Sequence, residues 1–521
     1  MAPSFVRLTP ALLAFLIQLL ILVGCGGGGG TSTGAQSPNG QNSNSAASYG
    51  HFRKTNGATG SASGATAKTS GNTTVNMSYP RAGHTATLLA DGRVLIAGGN
   101  NTTIDNLNFT TYNSAELFDP STELFSMVPS TMGMARTEQC AITMPDKRVL
   151  MISGGGNYGP MPDLSLVDIF DPTTNSFSSQ HIAGYQLVPT GTSGNDTLHC
   201  FLLPGKRVFI FGGAISSPQM AAPSVLDLTT WTVRPVTLLG IDPLLYERYY
   251  ASATQAFDGR VFVVGGMTAH YLSTTTSQAS ADVLIFDPST ETMQIVGQML
   301  TARVGAGILP MDDGSIEVYG GSNWASDGIT AERLTSIERI SSTGSAINIG
   351  DLAAIKLYFT SVMLQNGLSL HAGGAGSDGM STTVELVFDE NGHWSSYTGK
   401  MIEDRSDYGI TMLGTGRVLI TGGSNSLGQV SDTAEIYEPD AKFYITLPNP
   451  VLALGESVQL TLQPNLSVTW SAKLGTVNAG GLYTAPDVAT WQAKGTAPFD
   501  EVTATASDGS QATARIELLA P

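Results

Sequence analysis

The sequence predicts an all-β protein: a seven-bladed β-propeller followed by a small β-sandwich. Three observations lead there. Seven double glycines recur along the chain at Gly98-Gly99, Gly154-Gly155, Gly212-Gly213, Gly265-Gly266, Gly320-Gly321, Gly373-Gly374 and Gly422-Gly423, at intervals of 56, 58, 53, 55, 53 and 49 residues. Each pair ends a short apolar run of strand composition, such as Val94–Ala97 or Val261–Val264, usually preceded by an Asp-Gly type turn. The periodicity then stops after Phe443, and the remaining segment alternates in the manner of short strands. A repeat of about 50 residues carrying four short strands is the sequence form of a propeller blade.

Each repeat can be read in order. A basic residue stands 17 positions before the first glycine, at Arg81, Arg248, Arg303, Lys356 and Arg405, and 18 before it at Arg136; the third repeat has Asn195 instead. A loop of irregular length follows the glycines. Next comes a strand ending in a turn, as in Ala115-Glu116-Leu117-Phe118-Asp119-Pro120 or Leu284-Ile285-Phe286-Asp287-Pro288, and then a bulky residue: Phe125, Phe177, Trp231, Met293, Trp394 or Phe443. The fifth repeat is the most degenerate, because Glu338-Arg339-Ile340-Ser341-Ser342 lacks the Asp-Pro turn. This pattern resembles the Kelch repeat and covers roughly residues 74 to 445. All four strands are expected in order within each repeat, with Thr74 to Tyr79 available as an extra strand at the seam.

The two ends carry different signals. Arg7 is the one charge ahead of an apolar stretch from Ala11 to Val23, too short for a comfortable permanent span, and Leu22-Val23-Gly24-Cys25 follows. The tetrapeptide resembles a bacterial lipobox, which implies a signal peptide over 1–24, lipidation of Cys25 as the membrane partner, and a place in the cell envelope. Gly26 after the Cys leans, by the same resemblance, toward the outer membrane. Residues 25–73 are almost wholly Gly, Ser, Asn, Thr and Ala, the composition of a disordered tether. Residues 446–521, with Trp470 and Gly481-Leu482-Tyr483-Thr484-Ala485-Pro486, resemble a bacterial immunoglobulin-like domain.

The formal net charge of −17 argues against nucleic acid as a partner. Once Cys25 is assigned to lipid, Cys140 and Cys200 remain, on the presumed innermost strands of neighbouring blades. Aligned repeat to repeat, Cys200 matches Ala141, so the two thiols fall on opposite strand faces and are expected to stay free.

The loops after the glycines vary from blade to blade while the turns on the other face are short and stereotyped, so binding is expected on the loop face. Two sets of candidates lie there. The first is the basic ring of Arg81, Arg136, Arg248, Arg303, Lys356 and Arg405, which either pairs with the third-strand acids Glu116, Asp168, Glu338, Glu385 and Glu435 or in part faces an anionic ligand. Arg303, in the degenerate repeat, is the one expected to be freest. The second is the loop set Tyr158, His270, Tyr271 and Trp324, suited to stacking on a sugar or gripping a peptide.

No catalytic constellation stands out. Kelch propellers with an immunoglobulin-like domain resemble the copper radical oxidases, whose metal needs two His, two Tyr and a cross-linked Cys; here no Tyr is followed directly by His, and no Cys lies near a plausible ligand Tyr. Neither a metal nor another cofactor is expected. The lead expectation is a non-catalytic envelope module recognising a glycan or protein. Its rival is a sugar-modifying enzyme resembling the sialic acid mutarotases, to be favoured by a carboxylate of raised pKa at the ring mouth.

Overall fold

The computed structural model describes residues 50–55, 73–101, 110–155, 165–183, 198–212, 223–241, 248–268, 278–324, 331–376, 379–390, 393–494 and 497–519. Seven sheets of at least four antiparallel strands follow one another along the chain, a propeller in which each repeat supplies the innermost three strands of one blade. Blade 1 is typical: Thr85–Leu88 pairs with Val94–Ala97, which pairs with Ala115–Asp119, which pairs with Leu124–Met127. The second strands read as unbroken apolar runs because strands flank them on both edges and neighbouring blades cover both faces. Val94–Ala97, Val149–Ile152, Val261–Val264 and Val418–Thr421 are buried throughout.

Ring closure differs from the expectation. The fourth strand of blade 7 is not formed around Phe443 but by Gly50–Lys54, which pairs antiparallel with Ala434–Pro439. The propeller therefore begins at Gly50 rather than residue 74, and part of the presumed tether is sheet. Phe443 is instead buried in the C-terminal core. At the same seam Thr73–Thr74 pairs with Phe125 and Ser126 as a fifth strand of blade 1. Arg53 of the closing strand bonds Glu438 in blade 7 at 2.8 Å and Glu123 in blade 1, so the N-terminal strand clamps the first and last repeats together.

The two cysteines also depart from expectation, since Cys140 and Cys200 are bonded to each other, with their Cα atoms 6.2 Å apart. The alignment placing them on opposite strand faces is sound. In a propeller, however, each blade packs one face against the opposite face of its neighbour, so opposite faces are what bring two adjacent first strands into contact.

After blade 7 the chain forms a smaller β module. Val451–Ala453, Gln511–Leu519, Phe499–Ala506 and Val468–Ala472 make one sheet, and Ser457–Gln459, Leu482–Thr484 and Thr476–Val477 make another. They enclose a core that includes Tyr483, Trp491, Val502 and Ile516. The short helix Val488–Ala493 is capped by Asp487, whose carboxylate accepts from the Thr490 amide.

This module sits over the turns joining first and second strands. The Gln365 side chain exchanges two hydrogen bonds with the Ile445 backbone, the Gly414 carbonyl accepts from the Leu447 amide, and Phe257 meets Phe499 edge-on at 4.2 Å. Lys473 reaches Asp312 at 2.6 Å, and Lys147 reaches Glu456 at 2.7 Å. Contacts to blades 2, 4, 5, 6 and 7 thus close one end of the central channel and leave the loop face open.

Candidate functional site

The six basic residues are 0–4% exposed, and their geometry repeats. Arg81 Nη1 donates to the Gly98 carbonyl at 2.7 Å, while its guanidinium pairs with Glu116 at 3.2 Å. Arg136 pairs with Asp168 at 2.9 Å, Arg405 with Glu435 at 3.1 Å, and Arg303 with Glu338. Arg248 pairs with Asp282 at 2.7 Å. Lys356 donates to the Thr383 carbonyl beside Glu385. Burial pushes Arg81, Arg136, Arg248 and Arg303 down against the upward pull of these carboxylates, and brings Lys356 to about 8. The ring is therefore scaffold: its cations are spent on partners within the blades and do not face a ligand. Arg303, expected to be the freest, is as enclosed as the others.

The double glycines explain why the ring is so regular. In the left-handed region at φ 68° and 86°, Gly98 offers its carbonyl to Arg81 and Gly99 donates its amide to the Arg136 carbonyl of the next blade at 2.7 Å. A Cβ at Gly98 would lie 2.6 Å from that same carbonyl. In repeat 2 this role falls to Ser153-Gly154, both at positive φ, and Arg136 donates to the Ser153 carbonyl. Its spacing is thus 17 like the rest; the sequence reading was displaced by one because Gly155 makes an adjacent pair look like the motif.

Of the loop candidates, Tyr158, His270 and Tyr271 lie outside the described residues, as does Cys25. Trp324 ends a small hairpin, Ser322–Trp324 against Ala331–Arg333, immediately after Gly320-Gly321 on the loop face. Asn425 accepts from the Leu427 and Gln429 amides, as a turn-capping Asn should.

The residues the sequence reading missed stand two places after each basic residue: Gly83, Glu138, Tyr250, Gly305, Tyr358 and Asp407. All six are left-handed, with φ between 53° and 63°. They link around the channel mouth through backbone bonds: Gly83 donates to Asp407 and Glu138 to Gly83, Gly305 to Tyr250 and Tyr358 to Gly305, at 2.8–3.0 Å. Holding non-glycine residues there costs about 1–3 kcal/mol each, strain that tends to gather at functional sites. The mouth is two-sided. Glu138 and Asp407 flank Gly83, with a Glu138 carboxylate oxygen 2.3 Å from where a Gly83 Cβ would lie. Opposite them Tyr250 and Tyr358 flank Gly305, their rings edge-on at 5.3 Å.

Asp407 is solvent-exposed, and the protein packed around it pushes its carboxyl up to about 6, against one hydrogen bond from Ser406. Burial also pushes the Tyr358 hydroxyl up. The in-phase pattern of one variable residue after each basic one was the signal that could have revealed this set.

Three described histidines are held by bonds within the propeller. His84 Nε2 bonds Thr421 Oγ1 at 2.9 Å, His371 bonds the Ser361 and Ser369 hydroxyls, and His199 bonds the Ala251 carbonyl. Burial lowers His84 and His371 to about 3. Among the described residues no three His, Cys, Asp or Glu gather as metal ligands. Among the described residues, those at the mouth are carboxylates and tyrosines with no imidazole, a set that does not fit a copper centre.

No protein-family model matches this chain. It is 25% identical to the spermatocyte protein spe-26 of Caenorhabditis elegans over 225 residues, 43% of this chain and 35% of that protein, so the match spans about a third of that relative. Among solved structures it resembles a fungal alcohol oxidase of the AA5 family in complex with copper. The TM-score is 0.58 at 14% identity, over 84% of this chain and 98% of the other. That likeness concerns the fold and defines the class at that level: an all-β propeller.

Proposed function

We propose that this protein is an envelope recognition module that binds a glycan at the channel mouth. The observation that carries it is the two-sided ring, with Tyr250 and Tyr358 offering ring faces and edges to a sugar and Glu138 and Asp407 offering acceptors to its hydroxyls. With the six ring cations held in the blades, neutral or basic sugars suit this mouth better than acidic ones. Lipidation at Cys25 and an outer-membrane location belong to the same proposal. The Cys140–Cys200 bond suits an oxidising compartment outside the cytoplasm. A tether of residues 25–49 would then hold the propeller roughly 25–30 Å from its lipid. The C-terminal module is read as immunoglobulin-like on its sequence resemblance, and serves as the base of the propeller.

The experiment is a glycan array with the chain starting after Cys25, followed by calorimetry on the best binder. Tyr358→Ala and Asp407→Asn should each weaken binding at least tenfold. Unchanged affinity in both would discard the mouth as the site.

The raised carboxyl of Asp407 favours a second reading, in which Asp407 moves a proton on the bound sugar, as in anomer interconversion. Asp407→Asn would then abolish turnover, and a wild-type protein that leaves the anomeric equilibration rate of every bound sugar unchanged would eliminate this reading.

A further inference from the structure

Below the mouth, the inner strands and the C-terminal module enclose a chamber of about 1030 Å³, at the upper end of ligand-site volumes. Its walls are largely aliphatic and aromatic: Ala141, Phe201, Leu309 and Met412 from first strands, with Trp491 and Leu518 from the module below. The charged groups that line or adjoin it are mostly matched. Arg339 pairs with Glu317, Arg515 and Lys473 with Glu501, and Lys473 also with Asp312; Asp313 holds its own turn through Ser315. Glu517 is the exception. It lies on the strand Gln511–Leu519 between Val451 and Phe499, lines the chamber, and has no side-chain partner among the described residues.

We propose that this chamber is a second binding site, for an apolar molecule carrying a single positive charge, with the Glu517 carboxylate as its counter-ion. Glu517 is half-buried among largely apolar walls, where a lone carboxyl is costly to ionise, and this raises it to about 7. A ligand that brings its own cation removes that cost, whereas an anion would add a like charge beside Glu501, Asp312 and Asp313. An uncharged chain would fill the walls but leave the acid unmatched. The long apolar wall separates this ligand class from the polar sugar proposed for the mouth, and the two sites are independent.

The test is calorimetry of the chain starting after Cys25 with three molecules of equal chain length, decylamine, decanol and decanoate. It is run at pH 6 in two buffers of different ionisation enthalpy. Decylamine should bind at least tenfold more tightly than decanol, decanoate most weakly, and decylamine binding should release close to one proton. Glu517→Gln should reduce decylamine to the decanol level and remove the proton release while leaving decanol binding unchanged, which also shows that the variant is folded. An amine preference that survives Glu517→Gln, or no binding by any of the three, would overturn the proposal.

Discussion

The amide of Gly423, in the last repeat, donates to the carbonyl of Arg81, in the first, at 2.7 Å. The same bond joins Gly99 to Arg136, Gly266 to Arg303, Gly321 to Lys356 and Gly374 to Arg405 at 2.7–3.2 Å. Each of these five basic residues thus holds its own blade through its side chain and the preceding blade through its carbonyl. The Gly423–Arg81 bond closes this circuit beside the Gly50–Lys54 strand, so two independent features fasten the ends of the ring.

Gly422 should therefore tolerate no side chain. Its φ is 58°, and a Cβ would lie 2.3 Å from the Arg81 carbonyl, with backbone on the far side that cannot swing away. Gly422→Ala should cost at least the ~1–2 kcal/mol of a left-handed residue, plus the displacement of the seam. Chemical denaturation would read this, with Gly240→Ala as the comparison; its φ is also positive, at 65°, but nothing lies within 4 Å of its Cβ position. Equal losses would mean that crowding at the seam is unimportant.

Arg303→Ala and Arg81→Ala should destabilise alike. Both guanidiniums are fully enclosed and both would strand a buried acid, Glu338 or Glu116, for which the loss is about 3–5 kcal/mol. Lys replacements should recover only part of it, because an ammonium cannot hold the glycine carbonyl and the carboxylate in one plane. A loss under about 1 kcal/mol for Arg303→Ala, in denaturant titration, would return that residue to the surface.

Much of the fold was legible because the blade repeats it. The double glycines and apolar second strands recur in all seven repeats and the basic residue in six, set by contacts of one kind, so the copies reinforce one reading. The closing strand was not legible: Gly50-His51-Phe52-Arg53-Lys54 sits in polar, glycine-rich sequence, and its partner is fixed by a pairing almost 390 residues away. Asp282 was missed as the partner of Arg248 because it stands two residues before the aligned acid position, which is Leu284 in that repeat. The mouth escaped for the opposite reason. Its residues vary in type from blade to blade, and only their constant distance from the basic residue marks them.

Breaking the Cys140–Cys200 bond should weaken the protein substantially. The bridge spans a separation of 60 residues, for which the chain-entropy account gives about 4 kcal/mol. The double variant Cys140→Ala/Cys200→Ala should unfold at lower denaturant than the oxidised protein and match the reduced wild type. Intact mass of the untreated protein after alkylation should show neither thiol modified. Alkylation of both in the native protein would contradict the pairing.

As pH rises from about 4 to 7, the raised carboxyls of Asp407 and Glu517 should lower stability, while the buried His84 and His371, held at about 3, should raise it. Asp407 and Glu517 have folded-state values near 6 and 7, both above the ordinary carboxyl range, so across this window the folded chain holds protons that the unfolded chain has released. The contribution of each is fully present below the unfolded value and lost as pH passes through the folded one. Asp407 touches solvent in the channel, which screens it, so Glu517 should supply the larger share. Paired carboxylates such as Glu291 and Glu456, which are held below their ordinary value, act in the opposite sense and lose their contribution only at lower pH. Denaturation midpoints measured at intervals from pH 4 to 8 should therefore be read as differences from the wild type: Glu517→Gln, and by a smaller amount Asp407→Asn, should gain stability relative to the wild type as pH rises through this window. Differences that do not change with pH would show that neither carboxyl is held protonated in the folded protein.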